Sequence, residues 1–177
     1  MRTLKLTTLI LFLNLGSTSV HAETPDAVLG YWASEGSIIY VSATDGLLSA
    51  RVFALKDPTY TEGEEFGPVG AARRDDLNPE PDKRTQPVLG LELLSDYSHT
   101  GKRWEGKIYD PESGNTYSSR MSVDRAGNLK MRGYIGVALL GRTAVFEPLS
   151  RCTGNMQVIL RNSSVSADGC VVNPVEG

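Results

Sequence analysis

The chain has 177 residues, 40% of them apolar, with 18 Lys and Arg against 21 Asp and Glu for a net charge of −3. That length suits one domain with a real core. An acidic balance with scattered basic residues excludes the clustered positive surface of a nucleic-acid binder.

The first residues read as a leader. Arg2 and Lys5 make a short positive region, Leu6 to Leu15 is apolar but broken by Thr7, Thr8 and Asn14, and Val20-His21-Ala22 puts small residues at −3 and −1 of a cleavage site. An apolar run of ten residues falls short of the roughly 20 that cross a bilayer. The expectation is a signal peptide over residues 1–22, with a periplasmic or secreted destination. No Cys stands at the cut, so no lipid anchor is expected there, and no later segment reads as a membrane span. Losing Arg2 and Lys5 leaves 16 of the 18 basic residues against 21 acidic ones in the mature chain.

Asp26 to Trp32 reads as a helical turn. Ser37 to Ser42 is rich in β-branched residues, and Thr44-Asp45-Gly46 signals a hairpin. In Leu47 to Leu55, Leu48, Ala50, Val52 and Ala54 share one face, with Leu47, Ser49, Arg51, Phe53 and Leu55 on the other. Lys56 to Pro87 breaks the pattern with repeated Gly and Pro and dense charge of both signs. A loop this long inside one domain is either a solvated insertion or a lid or contact loop.

Val88 to Leu94 is apolar again, and Asp96 to Gly101 reads as a turn. Arg103 to Tyr109 alternates, with Trp104, Gly106 and Ile108 on one face. Thr116 to Val123 groups Tyr117, Ser119, Met121 and Val123, and Asp124 to Gly127 turns the chain. Leu129, Met131, Gly133 and Ile135 oppose Lys130, Arg132 and Tyr134. Gly136 to Gly141 is a corner, Arg142 to Phe146 a strand, and Met156 to Arg161 a candidate last strand. Short strands at regular spacing indicate an antiparallel barrel or sandwich. The expected division is a β domain over residues 23–149, with the loop at 56–87, and a C-terminal extension over 150–177.

The extension holds both cysteines, Cys152 and Cys170. In an exported chain two thiols pair. Closing that loop would constrain the unfolded chain by roughly 3 kcal/mol and staple a C-terminal hairpin.

Pro87-Val88-Leu89-Gly90-Leu91, Trp104 to Tyr117, Arg132-Gly133-Tyr134-Ile135-Gly136 and Leu140-Gly141-Arg142-Thr143 together carry a family resemblance. They are similar to family 2147 of the bacterial domains of unknown function, an exported, calycin or lipocalin-like group. The resemblance runs from Gly30 to about Pro148. It implies an up-and-down barrel of about eight strands and no established reaction. Many of those relatives carry a Cys-x-x-Cys pair in the loop before the Pro-x-x-Gly-Leu segment. This chain has none there, so no metal or redox role is carried over. Gly30-x-Trp32 also fits the G-x-W signature of lipocalin barrels, in which an Arg from the last strand lies over the Trp as a plug. Arg142 is the first candidate for that Arg and Arg132 the second, by cation–π attraction.

Little catalytic chemistry is on offer. His99 is the one histidine of the mature chain and reads as a turn residue; no nucleophile motif surrounds a serine. No cofactor and no metal site is expected, since Glu62, Glu64, Glu65, Asp75 and Asp76 lack calcium-loop spacing. Glu105 and Asp110, with Glu92, are the remaining carboxylates for glycoside chemistry. Binding is the alternative. Arg51, Arg120 and Arg132 sit within strands beside Tyr117 and Tyr134, and an inward Arg with a Tyr hydroxyl would fix an anionic head inside a barrel. The expectation is a small-molecule-binding module of the cell envelope for an amphipathic or anionic ligand, with an envelope protein as a further partner class. Two alternatives stay open: a low-turnover enzyme acting on a glycan or lipid, and an interaction module using the 56–87 loop.

Overall fold

The computed structural model describes residues 25–170 apart from Ala138 and Leu140, so the leader expected over 1–22 lies outside the described residues. A 3-10 turn at Pro25–Val28 precedes strands β1 (Gly30–Ala33), β2 (Ser37–Thr44), β3 (Leu47–Leu55), β4 (Leu94–His99), β5 (Trp104–Asp110), β6 (Asn115–Val123), β7 (Leu129–Tyr134) and β8 (Arg142–Pro148). A 3-10 turn at Leu149–Arg151 then leads into one helix, α1 (Gly154–Asn162). The sheet order is β3-β2-β1-β8-β7-β6-β5-β4, with antiparallel neighbours. Its two edges meet where the chain enters β4. Leu93 N–H donates to Ala50 O at 2.8 Å, Val52 N–H to Leu91 O at 3.0 Å, and Gly90 N–H to Val52 O at 2.8 Å. The expected eight-stranded antiparallel barrel therefore forms, nearly closed.

Most inward positions follow the alternation read from the sequence; Ala54 does not, because the β2–β3 register shifts between Ile38 and Ile39 and turns it to the outer face, away from Leu48 and Ala50. Trp32, Ile39, Val41, Leu48, Ala50, Trp104, Met121, Leu129 and Met131 are buried in one cluster. One end is roofed by the N-terminal turn. The indole N–H of Trp32 donates to Val28 O at 2.8 Å and that of Trp104 to Pro25 O at 3.0 Å. A buried indole N–H needs an acceptor, and these two carbonyls pin the turn in place.

β4 departs from expectation. The apolar Val88–Leu94 run is not itself the strand: β4 begins at its last residue, Leu94, and continues to His99 through residues that read as a turn. Asp96 adopts φ +57° and the β4–β5 register shifts between Ser95 and Ser98. This bulge delivers Tyr97 to the core, where it is fully buried and its hydroxyl donates to Ser119 Oγ at 2.5 Å. Gly106 makes room for it: a Cβ there would overlap the Tyr97 ring.

The C-terminal hairpin is also corrected. Met156 to Arg161 belongs to α1, whose N-terminus is capped by Thr153 Oγ1 accepting from Met156 N–H at 3.4 Å. Met156, Ile159 and Leu160 recur at helical spacing and pack with Ala33, Ile38, Ala54 and Leu149 on the outer face of β1–β3. β2 is thus covered on both faces, which is why Ile38 and Ile39 are both buried. Ser163 Oγ bonds both the N–H and the C=O of Leu55, at 2.8 and 2.9 Å. The expected Cys152–Cys170 bond is present, with Cα atoms 4.9 Å apart, and closes a loop around the helix.

Two outcomes test this packing. Denatured, unreduced protein should show no reactive thiol, and Cys152→Ser should lower stability in urea by roughly 3 kcal/mol; two free thiols would overturn the bond. Burial pushes the Tyr97 phenol up to about 12, partly offset by its bond to Ser119. The unfolded chain releases that proton near pH 10 while the folded protein keeps it. The stabilisation is therefore complete below pH 10 and is lost as pH rises to about 12, at a cost of roughly 3 kcal/mol. Tyr97→Phe should flatten the stability profile over that window; an equally steep fall would reject the assignment.

Candidate functional site

The long Lys56–Pro87 loop folds back on itself. Thr59 bridges Ala72 and Arg74 bridges Pro87 through antiparallel backbone pairs. Tyr60 is its buried anchor. The Tyr60 hydroxyl donates to Asp76 and accepts from Arg74 N–H, and the Arg73 guanidinium carbon lies 5.3 Å from its ring centroid. Arg73 also bonds Glu64 at 2.9 Å and holds that carboxyl below its usual range. These contacts give a Gly- and Pro-rich segment a defined shape with little regular structure beyond a 3-10 turn at Pro81–Lys83.

One buried carboxyl joins the loop to the barrel. Asp75 is fully buried; its Oδ1 accepts from the Tyr109 hydroxyl at 2.7 Å and its Oδ2 from Asn78 Nδ2 at 2.6 Å. Its own N–H donates to Gln86 O at 2.9 Å, drawing the two arms of the loop together. Burial, then the bond to Asp75, raises the Tyr109 phenol well above its ordinary value. Leu77 lies against the β5–β6 turn, where a Cβ on Gly114 would overlap its carbonyl oxygen.

Between the docked loop and the outer wall of the barrel runs a groove of about 550 Å³. Arg51, Glu92, Tyr109 and Thr116 line its barrel side, and Asn78, Lys83 and Gln86 line its loop side. Arg51 Nε pairs with Glu92 Oε2 at 3.1 Å, and Glu92 Oε1 accepts from Ser49 Oγ at 2.7 Å and Ala50 N–H at 3.0 Å. Lys83 pairs with Glu80 at 2.6 Å. A second concavity of about 610 Å³ lies outside the barrel, between Tyr31 and the chain after α1.

The residues expected to hold a ligand are not brought together. Tyr117 shares the inner face with Ser119 and Met121, and its hydroxyl lies 3.3 Å from Ser113 Oγ. Arg132 and Arg120 oppose each other in register on the outer face, and Tyr134 shares that face. Arg132 bonds Thr143 Oγ1 at 2.8 Å and Leu139 O at 2.9 Å. The inward Arg132 head-group site is therefore corrected: it neighbours Met131 and Gly133, and a pleated strand sends alternate side chains to opposite faces. Arg51 is outward for the same reason, beside buried Ala50 and Val52. The plug is corrected too. Arg142 pairs in register with Gly133, while Trp32 pairs with Pro148 at the far end of β8. Six residues of strand separate them by about 20 Å. Trp32 takes the plug position, but a backbone carbonyl, not a guanidinium, is its polar partner.

The carboxylate pair does not assemble. Glu105 and Asp110 stand five residues apart on β5, on opposite faces and about 17 Å from each other, beyond the roughly 5–9.5 Å that glycoside chemistry uses. Glu105 is held by Arg103 at 2.6 Å, and Asp110 caps its turn through Ser113 Oγ at 2.7 Å and Glu112 N–H at 3.0 Å. His99 sits at the end of β4 against Trp104, with ring centroids 5.1 Å apart. Among the described residues no group of three or more His, Cys, Asp and Glu is placed to hold a metal ion, and no helix is long and apolar enough to cross a membrane. Sequence reasoning gave no role to Tyr60, Asn78 and Tyr109, and weighed Asp75 only as a calcium carboxylate. The available signal was Tyr60, one of two aromatic residues, with Phe66, in a loop rich in Gly, Pro and charge.

A family model described as "Uncharacterized protein conserved in bacteria (DUF2147)" matches residues 30–147. The chain belongs to this family. The match ends within β8, so α1 and the disulfide lie beyond it. A solved structure, described as protein HP1028 from the human pathogen Helicobacter pylori and as belonging to the lipocalin family, is similar in fold. It aligns with a TM-score of 0.56 and 23% identity, covering 78% of this chain and 90% of that one. No curated protein matches the chain.

The loop latch is testable. Tyr109→Phe removes one donor from a buried carboxyl and should cost about 1.5–3 kcal/mol. Hydrogen exchange should rise first at the amides of Asp75 and Val88, which close the loop. Unchanged protection there would show that Asp75 does not hold it.

Proposed function

We propose that this member of the DUF2147 family is an exported, non-enzymatic binding module of the cell envelope, with its ligand in the groove beneath the 56–87 loop. The observation that carries the reading is the groove itself: about 550 Å³, within the usual range of small-molecule sites, and walled by an ordered loop. Arg51 and Lys83 stand at its edge in exposed ion pairs. Such pairs are worth at most about 1 kcal/mol, so a ligand carboxylate or phosphate exchanges for Glu92 or Glu80 at little cost. Pro79, Pro87 and Leu91 offer apolar surface for the rest of an amphipathic molecule. The lumen is a weaker candidate because its roofed half is filled by Trp32, Trp104, Tyr97 and Met121. A non-enzymatic role is supported by the carboxylates themselves: Glu92 is held by Ser49 Oγ and Ala50 N–H, Glu105 by Arg103 and Asp110 by Ser113.

Native mass spectrometry of the protein purified from its own envelope should show a chain beginning at Glu23 that carries a retained small molecule. Arg51→Met with Lys83→Met should release that molecule, and Tyr117→Ala, at the lumen, should not. A bare wild-type chain, or an adduct that survives the double substitution, would overturn the groove. A retained Met1 would overturn export.

A further inference from the structure

We infer that the turn between β7 and β8 docks the open end of the barrel onto an anionic lipid surface. Ile135, Val137 and Leu139 are 78%, 60% and 86% exposed, and Ile135 to Gly141 contains no polar or charged side chain. The turn is held from its own stem: Arg132 reaches the carbonyl of Leu139 and the hydroxyl of Thr143. Three aliphatic side chains kept in water by a built contact mark an interaction site.

Charge selects the occupant. Between Leu129 and Arg142 there are three basic residues, Lys130, Arg132 and Arg142, and no acidic one. Lys130 belongs to the other end of β7, paired with Asp124 of the β6–β7 turn at 3.2 Å, so the basic residues beside this turn are Arg132 and Arg142, the latter exposed at the start of β8. The strands alternate in direction, so the β7–β8 turn and the Lys56–Pro87 connection lie at the same end of the barrel, across it from one another. That loop carries eight acidic residues against five basic. The rim is therefore polarised, and an anionic surface attracts the apolar, basic side while repelling the acidic one. A protein partner fits less well: three side chains fall far short of the roughly 1,000 Å² a stable interface buries. A few apolar side chains with flanking arginines suffice for interfacial binding.

The inference stands apart from the groove, and one experiment separates them. The mature chain is sedimented with vesicles of phosphatidylglycerol and phosphatidylethanolamine, and with vesicles of phosphatidylcholine alone. Binding to the first only, weakening as salt is raised, is expected. Val137→Asp with Leu139→Asp should cut the bound fraction at least about tenfold. Arg142→Gln should cut it about fivefold. Both Asp sites are exposed, so the melting temperature should hold, and a groove ligand should remain on the Asp variant. No binding by the wild type, equal binding by the Asp variant, or a wild-type dimer that the Asp variant dissolves would each overturn the inference.

Discussion

A twisted sheet of eight strands left open presents a row of unpaired N–H and C=O groups along each edge. In this chain the edges are β3 and β4, and Gly90 to Leu93 brings them together. Glu92 completes the seam with its side chain, which takes the Ala50 N–H directly. Much else depends on that meeting. It places Ala50 and Val52 inside, so Arg51 and Glu92 must lie outside. It also obliges the connection from β3 to β4 to return to the barrel wall, where Tyr109 receives it through Asp75. The groove is the space left between a seam that must close and a loop that must come back to it.

The barrel was legible in the sequence because most strands are polar on one face. Leu129, Met131 and Gly133 are one face as read, while Ile135, read with them, lies past the end of β7 and is exposed. The same alternation already excluded Arg132 from the lumen; expecting it inside set a chemical wish against the pleat. Tyr97 was not legible, because Ser95-Asp96-Tyr97-Ser98 has turn composition and a bulge breaks the period that would reveal a strand. Met156 to Arg161 was ambiguous for another reason. Val158 and Ile159 favour strands, and only the spacing of Met156, Ile159 and Leu160, with Thr153 ahead, marks a helix. The latch was hidden by distance: Asp75 and Tyr109 are 34 residues apart, and each alone looks like an ordinary polar residue.

The two ends of the barrel divide their labour. At the roofed end, two indoles and the 3-10 turn fill the space that a small barrel must occupy with side chains. At the other end, the strands finish in Gly133, Arg142 and a partly exposed Tyr117, and the connections there carry the charge and the exposed aliphatic residues.

The outer helix has a consequence for how the chain is made. The last backbone pair of β3 is completed by Ser163, 108 residues downstream. Ala33, Ile38 and Ala54 are covered by Met156, Ile159 and Leu160. A chain emerging from its N-terminus therefore presents its first three strands with an apolar outer face and an unfinished edge until Ser163 has emerged. The family boundary falls before that cover, so the unit of folding is longer than the unit of sequence similarity. A fragment trimmed to residues 30–147 would carry the family's pattern and lack the surface that keeps its first hairpin from pairing with another chain.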